Sequence, residues 1–493
     1  MNLAEWIENQ KDNFIALSDQ VWDFAELGFS ERHSSELLEA ALEEAGFQLR
    51  RGVADIPTAF IASFGQGKPI IAILGEYDAL PGLSQERVPY QKSREEGGNG
   101  HGCGHNLLGV ASLAAALAVK EAIRAGEVEG TIRYYGCPAE ENGSAKTFMV
   151  KAGAFDDVDL SLCWHPDIYN GIVGVNALAN IKVNFRFHGK AAHAAYDPHN
   201  GRSALDAVEL MNVGANYLRE HLIPDARIHY IITNGGGSAA NVVPPLAESQ
   251  YIIRAPLLQQ VNEIYPRVLD IAKGAALMTG TEVEVIFQKG MSNLLLNDTI
   301  MDVLYEKMIQ VGPPEFSREE VEFARQISIA CPESDIPGLL AKIFGKEARY
   351  LVPPDAVLLA PIMPNTKTDF VLPGSTDVGD VSWVMPTGQI EATCHALKTP
   401  GHSWQVVAQS GMGIGHKGML HAAKIMALAA MDCYSDPMHI QKAREEFEKA
   451  TKGQPYKSII PDDVEKPLID VEAPPGNLAE RYPQCPFYDR DKR

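Results

Sequence analysis

Three short apolar runs, each ending in a residue able to do chemistry, constrain the fold of this chain most. "PIIAILGEY" (69–77) stops at "DALPG", "TIRYYGC" (131–137) stops at "PAEEN", and "DLSLCWH" (159–165) ends in His165 itself. Their length and their Ile, Leu and Tyr content suit buried strands better than helices. Helix-forming sequence lies around them: "SSELLEAALEEAGF" (34–47) and the alanine-rich segment 106–125, with Asn106 as its expected cap. Short apolar strands separated by helices predict an α/β fold with a mostly parallel sheet. In such open sheets function gathers at the carboxyl ends of the strands. Asp78, Glu140, Glu141 and His165 should therefore share one rim. The loop "NGHGCGHNLLG" (99–109), just before a predicted helix, belongs to the same edge and adds Cys103 and His105.

From about residue 178 the rhythm changes. "LANIKVNFRFHG" reads as a strand, "SALDAVELMNVGANYLREHL" as a helix, "ARIHYIITN" and "ESQYIIRAP" as strands, "QQVNEIYPRVLDIAKGAALMTG" as a helix and "EVEVIFQKG" as a strand. That β-α-β-β-α-β order is the ferredoxin-like arrangement, able to fold as an insertion. With 493 residues the chain is too long for one ordinary core. The expected division is a catalytic domain in two parts, 1–177 and 291–440, an inserted unit at 178–290, and a charged, proline-rich extension at 441–493. The second catalytic part passes through a Gly/Pro/Thr-rich section (361–415) and closes with a helix at 417–432.

Composition removes several classes of function. The net charge of −21, with no strongly basic run, speaks against a nucleic-acid partner. No stretch reaches the roughly 18 apolar residues of a membrane span; the nearest, around 107–119, runs into Lys120 and Glu121. The N-terminus is polar and acidic, without a signal-like apolar region. Seven scattered cysteines without C-x-x-C pairing point to a reducing compartment, so the expected location is the cytoplasm.

The loop at 99–109 admits several readings. A phosphate-binding P-loop needs a Gly-Lys-Ser/Thr ending, and a dinucleotide fingerprint needs a strand directly before it; neither is present. A redox cysteine wants a resolving partner nearby, and the next cysteine is Cys137. Taken singly, the Glu140–Glu141 pair reads as a solvated turn and His165 as a hydrogen-bonded core residue. Taken together, thiolate, imidazole and carboxylate from four segments form a coherent donor set for zinc-type ions.

The motifs "GHGCGHN", "PAEEN", "AAHAA" and "GSTDVGDVSW", in that order, resemble the amidohydrolase branch of the M20 metallopeptidases. That branch includes hippurate hydrolases, indole-acetyl-amino-acid hydrolases and p-aminobenzoyl-glutamate hydrolases. "LGEYDALPGLSQ" and the segment near "GPPEFSREE" are most similar to the aminobenzoyl-glutamate members, and Asn106, where relatives commonly carry Asp, agrees with them. The resemblance covers roughly residues 5–450. It implies an M20-type catalytic domain whose inserted unit serves as lid and dimerisation domain. It further implies two divalent metal ions per subunit, Mn or Zn, on Cys103, His105, Glu141, His165 and a distal histidine. His402 in "KTPGHSW" matches that last position best, with His395 as the substitute. Glu140 falls on the general-base position, while Asp377 and Asp380 are expected to shape the pocket or support the ligands.

On the inserted unit, local sequence makes His193 in "GKAAHAAYDPHN" an ordinary loop histidine. The resemblance implies instead that it stabilises the oxyanion in the other subunit of a dimer. Asn241 and Arg254 are candidates for gripping a substrate carboxylate, Arg254 through its bidentate fork. The expected reaction is hydrolysis of an N-acyl amino acid, p-aminobenzoyl-glutamate or a similar aromatic acyl-glutamate, by a homodimer or a heterodimer with a related subunit. A dipeptidase, an indole-acetyl-aspartate-type hydrolase and a non-catalytic assembly subunit are the alternatives.

Overall fold

The computed structural model of the chain describes residues 1–172, 174–464, 466 and 478–487. Its strands in chain order are β1 (Gln48–Arg51), β2 (Phe60–Gln66), β3 (Ile70–Glu76), β4 (Gly130–Cys137), β5 (Leu160–Asp167), β6 (Gly171–Ile172) and β7 (Asn176–Ala177). They continue as β8 (Ala179–His188), β9 (Arg227–Asn234), β10 (Leu246–Ala255), β11 (Glu282–Met291), β12 (Val371–Leu372) and β13 (Thr387–Thr393).

The central sheet has the order β1-β2-β4-β3-β5-β13-β6. Its middle, β4-β3-β5-β13, is parallel; β2 and β6 flank it antiparallel, and β1 pairs antiparallel with β2 at the edge. The mostly parallel α/β sheet expected from the sequence is therefore present. All seven residues of β3 are buried, the continuous apolar pattern of a strand covered on both faces. The helix His105–Arg124 packs on this sheet beside the helix Gly413–Ser435. Gly109 allows the close approach, since a Cβ there would stand 2.6 Å from the carbonyl oxygen of Glu76. That contact lowers the start of the helix, and with it His105, onto the end of β3.

Three sequence expectations need correction. Asn106 does not cap its helix. The chain enters through Gly104 in a left-handed conformation (φ 78°), the first helical residue is His105, and Asn106 lies inside the first turn. Its buried amide instead donates 3.0 Å bonds to Ser18 Oγ and to the Ser410 carbonyl. Strand β13 crosses the Gly/Pro/Thr-rich section, where the sequence predicts no strand, because Thr387–Thr393 can pair in parallel along β5. Finally, His105–Arg124 is long and apolar enough to cross a membrane by composition, although 83% of its apolar window is buried, as in a core helix.

Strands β8 to β11 form a second, antiparallel sheet in the order β11-β8-β10-β9. The helices Ala204–Leu218 and Leu258–Thr279 cover one face, against Ile181, Val183, Phe185, Phe187, Tyr251 and Ile253. The alternate residues, Asn180, Lys182, Ile252 and Arg254, face a cavity at the rim of the central sheet. Within the expected C-terminal extension, residues 441–451 continue the helix Pro437–Thr451, and Glu446 accepts from the backbone of Asp298 and Thr299. Residues 465, 467–477 and 488–493 of that extension lie outside the described residues.

Candidate metal centre

The rim collects side chains from five segments. Past the end of β3 comes Asp78, past β4 the pair Glu140 and Glu141, and near the end of β5 His165. Two tight turns aim the others. Gly104 leaves its Cα close to the Pro166 ring, where a Cβ would sit 3.1 Å away. His402 is held at φ 52°, unusual for a residue with a side chain, and its N–H donates to the Gly102 carbonyl at 3.0 Å. The loop bearing His402 is thus tied to the loop bearing Cys103 and His105.

Ligand-capable atoms meet in three overlapping groups, in each of which every pair lies within 4.8 Å: Cys103–His105–His165, Cys103–Glu141–His402 and His105–Glu140–Glu141. Cys103 Sγ stands 3.3 Å from His165 Nε2, and His402 Nε2 stands 3.3 Å from Glu141 Oε1. His395 is not among these groups; it is buried, with Nε2 3.4 Å from Ser410 Oγ. His101 also turns away, Nε2 lying 3.0 Å from the Val21 carbonyl.

Two observations show that this donor set fits metal ions. His105 Nε2 and Glu141 Oε1 are buried without a hydrogen-bond partner, although each has an ion-pair neighbour at 3.3 Å. Buried polar atoms are rarely left so. The second observation is charge. Burial first, and then the charge of Glu140, push the Glu141 carboxyl up to about 8. Burial draws the His165 imidazole down to about 3, which keeps it neutral and able to donate a lone pair. Acidic groups crowded together with a thiol and with the His165 and His402 imidazoles, both lowered by burial, make a cavity that a cation would stabilise.

Residues not singled out from the sequence support this cluster. Glu76 Oε2 lies 3.3 Å from His105 Nε2, and its Oε1 is paired at 2.6 Å with the fully buried Lys146. Lys146 is also paired at 2.5 Å with Asp377. Asp380 accepts from Thr147, Ser292 and Tyr456. Both aspartates therefore brace the segment after the Glu pair rather than joining the donor groups. Glu76 could have been suspected only as a charge inside an apolar run and Lys146 reads as an ordinary surface charge, and neither pattern names a partner.

A cavity of about 300 Å³ opens from the donors toward the second sheet, lined by Glu76, Cys103, Glu140, Glu141, His165 and His402 on one side. Arg254 lines the other side and donates from Nη1 to Ser375 Oγ at 3.0 Å. His193 and Asn241 do not line it. They sit together on an exposed tip of the second sheet, where His193 bridges Val242 and the Asn241 carbonyl accepts from Ala194. His193 Nδ1 accepts from the backbone of Ala195 and Tyr196 at 3.3 and 3.1 Å, leaving Nε2 outward.

A family model described as Peptidase family M20/M25/M40 matches residues 72–351. The chain is 49% identical to a p-aminobenzoyl-glutamate hydrolase subunit of Escherichia coli, over 93% of this chain and 96% of that one. It is 28% identical to a mouse (Mus musculus) Xaa-Arg dipeptidase, over 90% of this chain and 91% of that one. In fold it is similar to a dinuclear metal-binding peptidase of the M20 family from Bacillus subtilis (TM-score 0.55, 17% identity, 87% and 99% coverage).

Proposed function

This chain belongs to the M20/M25/M40 peptidase family, and from that premise we propose that it hydrolyses p-aminobenzoyl-glutamate or a similar aromatic acyl-glutamate. It is a metal-dependent amidohydrolase acting on a small molecule. The observation that carries the reading is the convergence of Cys103, His105, Glu140, Glu141, His165 and His402 on one cavity. Identity of 49% across nearly the whole chain supports the substrate.

In this reading Cys103, His105, Glu141, His165 and His402 hold two divalent ions. Such a pair supplies an acidified water and polarises the amide carbonyl. Thiolate favours zinc by its softness, while imidazole and carboxylate suit manganese equally. Glu140, next to a ligand but assigned to none, takes a proton from the attacking water and returns it to the departing nitrogen. Arg254 grips the α-carboxylate of the amino-acid half from across the cavity. Asn241 joins that grip and His193 stabilises the developing oxyanion. Because both stand outside the cavity of their own chain, they act on the site of a second subunit, with the inserted unit as lid and dimerisation domain. The second subunit is another copy or a related chain, a choice supported by the naming of the Escherichia coli relative as one subunit of its hydrolase. Seven scattered cysteines without C-x-x-C pairing suit a cytoplasmic location.

A dipeptidase specificity is the second reading, favoured by the Xaa-Arg dipeptidase relative. The test is release of p-aminobenzoate from p-aminobenzoyl-glutamate by protein loaded with Mn²⁺ or Zn²⁺, compared with dipeptides and indole-acetyl-aspartate. Fastest turnover of the aminobenzoyl substrate supports the proposal, and faster dipeptide cleavage transfers it to the second reading. Loaded protein that turns over none of them overturns both and points to an assembly role.

A further inference from the structure

One face of the second sheet presents cations to the cavity, and among the described residues none of them is ion-paired with a carboxylate. Lys182 on β8 and Arg254 on β10 both line it, while their neighbours Ile181, Val183 and Ile253 point into the core on the opposite face. Among the described residues Arg254 bonds only a serine hydroxyl, and no carboxylate or hydrogen-bond acceptor meets the Lys182 ammonium. Burial, and then the like charge of Lys289, lower the pKa of Lys182 below its ordinary value.

Lys289 is there because of an irregularity in β11. Phe287 pairs with Val183 on the covered face. A regular ladder would next set Gln288 opposite Lys182 and turn Lys289 toward the core beside Ile181. Instead the register slips between Phe287 and Lys289, so that Lys289 pairs with Lys182 and Met291 with Asn180. Both displaced residues then line the cavity. Such a bulge re-aims side chains at the cost of a ladder position. Here it sets two ammonium groups directly opposite each other, an arrangement that is unfavourable without a counter-ion. Lys289 uses one of its three donors on the Glu141 carbonyl, at 3.0 Å. Glu140 on the far wall meets part of the Lys289 charge through space, and all of Lys182 remains for a ligand.

We infer that Lys182 and Lys289 form a second carboxylate subsite, which reads the side-chain carboxylate of a dicarboxylic amino acid while Arg254 holds its α-carboxylate. Arg254 lies two residues beyond Ile252, the cross-strand partner of Lys182. Such diagonal neighbours are about 7–8 Å apart, a span the two carboxylates of glutamate bridge. The inference rests on the amidohydrolase reading above and assigns the residues that select the acidic side chain of its substrate.

The test compares kcat/KM for p-aminobenzoyl-glutamate, -glutamine and -lysine, using the metal-loaded full chain as wild type, Lys182→Met and Lys182→Glu. Glutamine keeps the shape of glutamate and removes only the charge. Wild type should prefer glutamate over glutamine by about 10–100-fold, the worth of a charged hydrogen-bonded pair, and the preference should appear in KM. Lys182→Met should reduce that ratio about ten-fold, and Lys182→Glu should gain on the lysine substrate over wild type, a gain that misfolding does not produce. A wild type indifferent to the charge, or a Lys182→Met protein with the wild-type ratio, overturns the subsite while leaving the amidohydrolase reading intact. Absence of p-aminobenzoate from all three substrates is instead the failure of that reading. Calorimetric binding of the glutamate and glutamine compounds to wild type and Lys182→Met then decides the subsite, and equal affinities overturn it.

Discussion

Asp78 accepts a 2.8 Å hydrogen bond from Nδ1 of His105, and both side chains are fully buried. Its other oxygen accepts from the Glu141 N–H at 2.9 Å, so one carboxylate orients two of the proposed ligands. The bond to Nδ1 leaves Nε2 of His105 aimed at the donor cluster. Asp78→Asn should therefore weaken metal retention by about 10–100-fold, read by competition with a chelator. Wild-type retention would mean that His105 is oriented by something else.

Cys103 and Cys331 are half-buried, and the other five cysteines are buried. With metal bound, a thiol reagent should therefore modify Cys331 quickly and Cys103 slowly. After chelation a second modifiable thiol should appear, its rate held down by the burial that raises the Cys103 thiol, and Cys103→Ser should abolish it. An unchanged count on chelation would remove Cys103 from the ligand set.

Lys146 is a fully buried cation between two buried carboxylates, 2.6 Å from Glu76 and 2.5 Å from Asp377. Lys146→Met leaves both carboxylates uncompensated. Breaking a buried pair from one side costs about 3–5 kcal/mol, so the urea midpoint of the metal-free protein should fall markedly. Glu76, its partner, also lies beside His105, and metal retention should weaken with it. A midpoint unchanged within error would mean that the two carboxylates are protonated in the folded chain.

His421 lies buried in the helix Gly413–Ser435, away from the donor cluster, and burial draws its imidazole from 6.5 down to about 4. The folded state thus prefers the neutral ring, while the unfolded chain takes up a proton near pH 6.5. The resulting stability is complete above about pH 6.5 and is lost as pH falls toward 4. Between pH 7 and 4.5 wild type should lose about 2 kcal/mol more than His421→Leu. Parallel stability–pH curves from denaturant unfolding would contradict this.

Much of the proposed site can be read from the chain because its donors sit where elements end. Asp78, Glu140, Glu141 and His165 follow apolar runs, and Cys103 and His105 precede a helix, so a strand-and-helix reading already brings them to one rim. Pairings inside the molecule leave weaker traces. Lys146 looks like a surface charge until Glu76 and Asp377 are seen around it. The register slip before Lys289 depends on which residue of β8 it faces, and one strand's sequence does not contain that. Asn106 reads as a cap, yet Gly104, by turning left-handed, takes the cap position two residues earlier. Strand β13 is hidden by its Thr- and Gly-containing composition, which only the pairing with β5 overrides.

The proposed chemistry depends on a division of labour between two adjacent carboxylates, Glu141 holding metal and Glu140 moving the proton. The direct measurement is metal content and p-aminobenzoate release on the same preparation of Glu140→Gln. The expected result is wild-type metal content with turnover reduced by at least about 10²-fold, the lower range for loss of a positioned acid–base group. Metal-replete Glu140→Gln protein turning over at the wild-type rate would contradict it.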